Sequence, residues 1–435
     1  MTKTEKPLHA LNAYETAAAI AAGETTCEEV ACSCLARIAA REPVVKAWAF
    51  LDPEQVMTDA RVLDRSKSRG ALHGVPIGIK DIIDTSDMPT EMGSPIYRGY
   101  RPFADASCVA LLRSAGALIM GKTATCEFAG ATATITTNPH NPARTPGGSS
   151  SGSAAAVADF MVPAAVGTQT GGSVQRPSSF CGTVGYKPTY GIIDTTGVKP
   201  AANSLDTVGL LTRSVEDAEL LWRILTNGAK VAWHDDAPLR VGLCRTHAWE
   251  SGERATKDAI EDAARRLAQA GFLVKEVTLP PAFGDLIETR EIINDYERAR
   301  CMTFEWRTAR DKFSPGLAKT VERGLTITLD RYTDAQVRVE ELRLQMGTVF
   351  AGVDVLLSPT VQGEAPEGLS FTGDHRFQSI WTQLRSPTVT LPTHAGPNGL
   401  PVGIQLVGSV YQDSKLLAAA QLIFRRLSPG PRIDI

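Results

Sequence analysis

The stretch PGGSSSGSAAAVADFMVPAAVGTQTGGS, residues 146–173, sets two Gly/Ser-rich loops around an alanine-rich segment and a short apolar run. Taken alone, Gly147–Ser153 could be a flexible linker of the Gly/Ser type. Its flanks point elsewhere, because it opens directly into Ala154–Ala158, and a helix start placed there offers free backbone N–H groups. The run Val162–Val166 reads as a strand that ends in a second loop, Thr168–Ser173. In Thr170-Gly171-Gly172-Ser173, two residues without Cβ let successive amides turn toward one point while a hydroxyl stands beside them. An ordinary strand-to-helix turn would use the same residues.

On the N-terminal side, Thr26-Cys-Glu-Glu followed by Val30, Leu35 and Ile38 predicts a helix with a capping box from Thr26 to Glu29 and Pro43 just beyond its end. Short apolar strands are expected at Lys46–Leu51 and Val75–Ile79, separated by a charged surface helix containing Asp59, Arg61 and Asp64. The unit recurs at 105–122, where a helix face of Val109, Leu111 and Leu112 leads to the strand Ala117–Met120. Toward the C-terminus, Arg240–Cys244, a helix over Ala255–Ala270 and Leu273–Leu279 form another β-α-β unit. A charged helical region covers about 285–350, a strand is expected at Val353–Pro359, and 361–385 reads as loop-rich. Alternating β and α signals without a disordered linker predict one large α/β domain over residues 1–435, with 1–69 as an N-terminal helical region.

Composition narrows the function. With 45 basic against 48 acidic side chains in 435 residues, the chain has a formal charge of −3 and no global field for gripping nucleic acid. Eight cysteines without a C-x-x-C pair suggest neither disulfides nor a zinc site, and fit a reducing cytoplasm. No run of eighteen apolar residues suggests a membrane span. His73, His140, His234, His247 and His375 lack metal-binding spacing, so no metal is expected.

Lys80 closes the apolar run GVPIGIKD. An ammonium there is costly unless it is paired, with Asp81 or Asp84 for instance, or unless it sheds its proton.

Together these pieces resemble the amidase signature family. The matching text is GVPIGIKD at 74–81, PGGSSSGSAAAVA at 146–158, GTQTGGSVQRPSSFCGTVGYKPTYG at 167–191 and SLDTVG at 204–209. It continues in DVLLSPT at 354–360 and GLPVGIQLVG at 399–408. The resemblance is to small-molecule amidases of the malonamidase type. It implies a central mixed β-sheet covered by helices, with a signature core at 70–215. Lys80, Ser149 and Ser173, spaced by 69 and 24 residues, fall on the positions of a Ser-Ser-Lys triad. Ser173 would attack the carbonyl, Ser149 pass the proton and Lys80 receive it, so that a small carboxamide is cleaved through an acyl-enzyme. A cis peptide is implied at Gly148–Ser149, and an oxyanion hole at the amides of Thr170, Gly171, Gly172 and Ser173. Ser150 and Ser151 would anchor the loop.

Arg176 is expected either to hold a substrate carboxylate or to make a structural ion pair. No cofactor is implied. The expected ligand is a small amide, with no nucleic acid and no membrane, and a homodimer stays open. Gln169 departs from the aspartate frequent at its position, which speaks against close kinship with the tRNA-dependent glutamine amidotransferases. The alternative function is nevertheless the amide-cleaving component of such an aminoacyl-tRNA transamidation complex. Gly148–Gly152 also satisfies G-x-S-x-G, with Ser150 as nucleophile and His394 as distant partner. The three prolines at 139, 142 and 146 exclude the strand that such an elbow requires. Substrate choice is expected to come from Glu91–Tyr97, Thr125–Thr137 and Phe371–Arg385 with Trp381.

Overall fold

A computed structural model describes residues 6–67, 70–230, 233, 238–427 and 429–433. His234 and the chain start lie outside the described residues. Eleven strands form one sheet: β1 (Trp48–Leu51), β2 (Pro76–Lys80), β3 (Leu118–Thr123), β4 (Ala164–Gln169), β5 (Val184–Lys187), β6 (Thr207–Thr212), β7 (Arg240–Leu243), β8 (Leu273–Glu276), β9 (Val355–Pro359), β10 (Thr388–Ala395) and β11 (Pro401–Val407). Their spatial order is β1-β3-β2-β4-β6-β5-β10-β11-β9-β7-β8. The sheet is mixed, as the resemblance implies. β2 runs parallel to both β3 and β4, and β7 parallel to β8 and β9, while the pairings from β4 through β6, β5, β10 and β11 to β9 are antiparallel.

Two local expectations change. The helix capped by Thr26 runs from Cys27 to Val45, so Pro43 lies inside its last turn, where its missing N–H removes a single hydrogen bond. Lys46 stops it instead, in the left-handed conformation at φ 54°. On helix Ser107–Ser114 the buried face is Cys108, Val109 and Leu112, and Leu111 is exposed. The loop-rich region 361–385 also holds a helix, Arg376–Gln383, that buries Phe377, Ile380 and Trp381.

The parallel trio β3-β2-β4 positions the chemistry. In register Ile79 lies opposite Val166, so Lys80 at the end of β2 comes alongside the carboxyl end of β4. That end of parallel strands is where α/β sheets place their ligands. The alanine-rich segment forms the helix Ser151–Ala158, and all eight of its residues are buried. Small side chains allow this close approach. A Cβ on Gly152 would stand 2.1 Å from the Ala47 carbonyl oxygen and 2.4 Å from the Ala124 nitrogen. Neither backbone atom can rotate away. Gly152→Ala is therefore expected to lower unfolding stability by about 3 kcal/mol, at the upper end of overpacking costs. Urea unfolding with an unchanged m-value would measure it.

Candidate active site

Lys80 is completely buried and pairs with neither Asp81 nor Asp84. Asp81 instead faces Lys122 at 3.4 Å. The Lys80 Nζ lies 2.8 Å from Ser149 Oγ, 2.8 Å from Thr168 Oγ1 and 3.4 Å from the Thr168 carbonyl oxygen. Burial pulls its pKa from the ordinary 10.5 down to about 7. A neutral amine has two N–H donors and one lone pair. Two Thr168 acceptors and the Ser149 hydroxyl match that inventory, with the serine O–H donating to the lone pair.

The Gly148–Ser149 peptide is cis. Around it, Ser151 Oγ donates to the Gly147 carbonyl at 2.7 Å and the Cys126 N–H donates to the Ser149 carbonyl at 3.2 Å. Ser150 Oγ bonds the Thr168 carbonyl and accepts from the Thr168 N–H, both at 3.3 Å. Ser150 and Ser151 thus anchor the loop. His394 bonds Thr393 and Asp262, which lie away from the cavity described below, so no Ser150–His394 pair forms.

Ser149 and Ser173 come together through their backbones, the Ser150 N–H donating to the Ser173 carbonyl at 3.2 Å. Among the described residues their hydroxyls make no mutual hydrogen bond within 3.5 Å. The carbonyls of the turn are tied back into the protein. Gly171 O accepts from Thr382 Oγ1 at 2.9 Å, Gly172 O from the Arg176 N–H at 2.9 Å, and Ser173 O from Ser150. In a trans peptide the following N–H points the opposite way. The N–H groups of Gly172 and Ser173 are therefore turned away from those partners, and no hydrogen bond among the described residues takes them up.

Gln169 braces this turn: its Oε1 accepts from the Val174 and Gln175 N–H groups at 2.9 and 3.0 Å. These are bonds a carboxylate could equally accept, so the departure from aspartate leaves the local architecture in place. Thr170 Oγ1 donates to Asp206 Oδ1 at 2.5 Å, and Asp206 Oδ2 accepts from Ala201 and Ala202.

A cavity of about 260 Å³ opens over Ser173 and the turn, small beside typical ligand pockets. Two of the expected loops contribute to it, through Ala129–Ala131 and Phe371–His375. Glu91–Tyr97 does not, and Trp381 is fully buried in an apolar cluster instead. Helices Leu286–Cys301 and Pro315–Thr326, in which the sequence carries no motif of the site, supply Arg290, Asn294, Arg298 and Arg323. Arg176 lines the cavity and makes no ion pair with any described carboxylate. Its Nη2 donates to Gly148 O at 2.6 Å and to Thr372 Oγ1 at 3.2 Å, so it braces the peptide preceding Ser149. Among the described residues no cluster of His, Cys, Asp and Glu suits a metal ion.

The amidase family model matches residues 29–417. The chain belongs to the amidase family. Among relatives of this chain, a glutamyl-tRNA(Gln) amidotransferase component from Chloroflexus aurantiacus is 33% identical, over 94% of this chain and 95% of its own. A crystal structure of an amidase superposes with a TM-score of 0.89 at 32% identity, covering 96% of this chain and 100% of that one. A protein from a vestigial complex, described as revealing the origins of an s-triazine catabolic enzyme, follows with a TM-score of 0.88 at 26% identity, over 98% and 100% of the two chains. Family membership supports hydrolysis of a carbon–nitrogen bond. No helix among the described residues is long and apolar enough to cross a membrane.

Proposed function

We propose that this chain hydrolyses small primary carboxamides through an acyl-enzyme on Ser173. The observation that carries the reading is the buried Lys80 amine, its pKa drawn down by burial, within hydrogen-bond reach of Ser149. Ser173 Oγ attacks the amide carbonyl, its proton passes to Ser149, and the Ser149 proton passes to Lys80 Nζ. The oxyanion forms against the free N–H groups of Gly172 and Ser173. As the C–N bond breaks, the proton returns from Lys80 through Ser149 to the departing nitrogen, which leaves as ammonia. Water then attacks the ester, its proton travels the same path, and the carboxylate is released with Ser173 restored.

The 33% identity to a component of a glutamyl-tRNA(Gln) amidotransferase favours a second reading. The same half-reaction would draw ammonia from glutamine and deliver it to an acceptor held by a partner protein. The near-neutral charge of this chain leaves tRNA binding to that partner.

An ammonia-release screen of the purified chain separates the two. Small aliphatic amides, aryl amides, half-amides of dicarboxylic acids, ureido acids and glutamine form the panel. Turnover of a small amide by the chain alone is expected. Silence toward every amide until a co-purifying protein is added, followed by turnover of glutamine alone, would establish the amidotransferase reading instead.

A further inference from the structure

The turn against which the oxyanion forms has little stiffness of its own. The peptide plane between Gly171 and Gly172 meets few steric limits, because neither residue carries a Cβ. The direction of the Gly172 N–H therefore depends on what holds the Gly171 carbonyl, at the opposite edge of the same plane. That carbonyl accepts from Thr382 Oγ1 at 2.9 Å, from a residue 211 positions further along the chain. Thr382 is buried on the helix Arg376–Gln383.

A hydroxyl has one proton, and Thr382 has a second acceptor for it: the Gln378 carbonyl, one turn back on its own helix, at 3.3 Å. Gln169 bears on that choice. It is completely buried, and its Oε1 accepts from the Val174 and Gln175 N–H groups. Backbone N–H groups only donate, so the side-chain amide has a single possible orientation, with its NH2 at the other end. Acceptance by Oε1 thus accounts for one end of Gln169 and leaves the other to be explained. Gln169 Nε2 lies 3.1 Å from Thr382 Oγ1. An NH2 donates there, so Thr382 Oγ1 accepts from Gln169 and its own proton stays available for a carbonyl. The bonds run one way, from Gln169 Nε2–H to Thr382 Oγ1 and from Thr382 O–H to Gly171 O.

We infer that Gln169 and Thr382 are positioning residues for the oxyanion: the Gln169 amide commits the Thr382 proton to the Gly171 carbonyl, which aims the Gly172 N–H at the reacting oxygen. This rests on the proposed amide hydrolysis. It gives the Nε2 end of Gln169 a task that a carboxylate of the same length would reverse. An ionised carboxylate only accepts, and its charge-assisted bond is stronger than a neutral one. Its second oxygen would draw the Thr382 proton to itself and leave the Gly171 carbonyl untethered.

The test measures kcat and KM on the amide that wild type turns over fastest, at about pH 9.5, above the pKa of about 8–9 that buried glutamates reach. Wild type is compared with Thr382→Val, Thr382→Ser, Gln169→Glu and the Thr382→Val/Gln169→Glu double variant, each per folded enzyme by circular dichroism. Thr382→Val and Gln169→Glu are each expected to lower kcat about tenfold with KM changed less than about twofold. That is a smaller loss than the about 10²–10³ on removing an oxyanion donor outright, since the N–H is present but misdirected. Thr382→Ser keeps a hydroxyl and should retain at least about half of the wild-type kcat. Because both residues act on one proton, the double variant should match Thr382→Val within about twofold. Wild-type kcat in Thr382→Val and Gln169→Glu, with only Tm lowered, would mean a purely structural pair and overturns the inference. Losses that multiply in the double variant overturn it as well, since the carboxylate would then act through its own field. If Thr382→Val or Gln169→Glu fails to fold, the other decides, with Thr382→Ser beside it. Either overturning result leaves amide hydrolysis standing. Turnover of no amide by wild type, with no covalent label on Ser173, overturns the hydrolysis itself.

Discussion

Ser173→Ala is expected to lower kcat for amide hydrolysis by about 10⁴-fold or more, the scale of loss when a covalent nucleophile is removed from a working relay. The fold should survive. Ser173 contributes its carbonyl to the Ser150 N–H, a bond alanine keeps, and its side chain faces the cavity instead of the packed interior. The free N–H groups of Gly172 and Ser173 also remain, so substrate affinity should change little while turnover stops. The check is ammonia release measured beside intact mass after a serine-directed inactivator. Wild type gains one adduct and Ser173→Ala gains none. Retention of more than about a tenth of kcat would be incompatible with covalent catalysis at this residue. Ser149→Ala should be comparably slow, because it removes the only hydroxyl among the described residues in contact with Lys80 besides that of Thr168.

Local features were readable from the chain because their causes are local. The Thr26–Glu29 capping box is present in both directions, with Glu29 N–H on Thr26 Oγ1 at 3.1 Å and Thr26 N–H on Glu29 Oε2 at 3.0 Å. The helix after the Gly/Ser loop and the strand ending at Lys80 follow from short-range pattern in the same way. Sheet topology does not. β5 pairs with β10 roughly 200 residues away, and β1, which reads as the first strand of a parallel unit with β2, lies antiparallel against β3. Strands of four or five residues carry too little periodicity to fix a neighbour, and burial on both faces removes the alternation that would fix a register.

The site divides along the same line. Lys80, Ser149 and the Gly171-Gly172 turn each sit in a compact motif with its own chemical oddity: a cation at the end of a greasy strand, hydroxyls between glycines, two residues lacking Cβ. Thr168 and Asp206 carry no such oddity. Thr168 is one threonine in a strand, and its importance lies in offering two acceptors to an amine that arrives from a different strand. Asp206 is half-buried, and desolvation raises its pKa, yet contacts with Thr170, Ala201 and Ala202 hold it. Arg290 is harder still. In the helix Leu286–Cys301 it stands among Glu288, Glu291 and Arg298, a mixture that reads as a solvated face. Only the packing of that helix against the cavity turns Arg290 and Arg298 inward.

Lys80 supplies the second large effect, and its sign follows from burial. The ordinary amine pKa of 10.5 falls to about 7 because the charged form loses its hydration, so protonation below that pH removes the lone pair that must accept the Ser149 proton. For an uncharged substrate such as levulinamide, log kcat/KM should rise with pH at unit slope up to about 7 and level off above it. Lys80→Ala should cost about 10³-fold on the plateau, within the span usual for a general base, and the acid limb should vanish with it. Lys80→Arg separates base chemistry from mere filling of space. A guanidinium stays protonated throughout the accessible pH range, so this variant should be inactive even at alkaline pH where a lysine would recover. A wild-type profile that stays flat from about pH 5 to about pH 9 would mean that no group of this pKa gates the reaction, and the proton path from Ser173 would have to end somewhere other than Lys80.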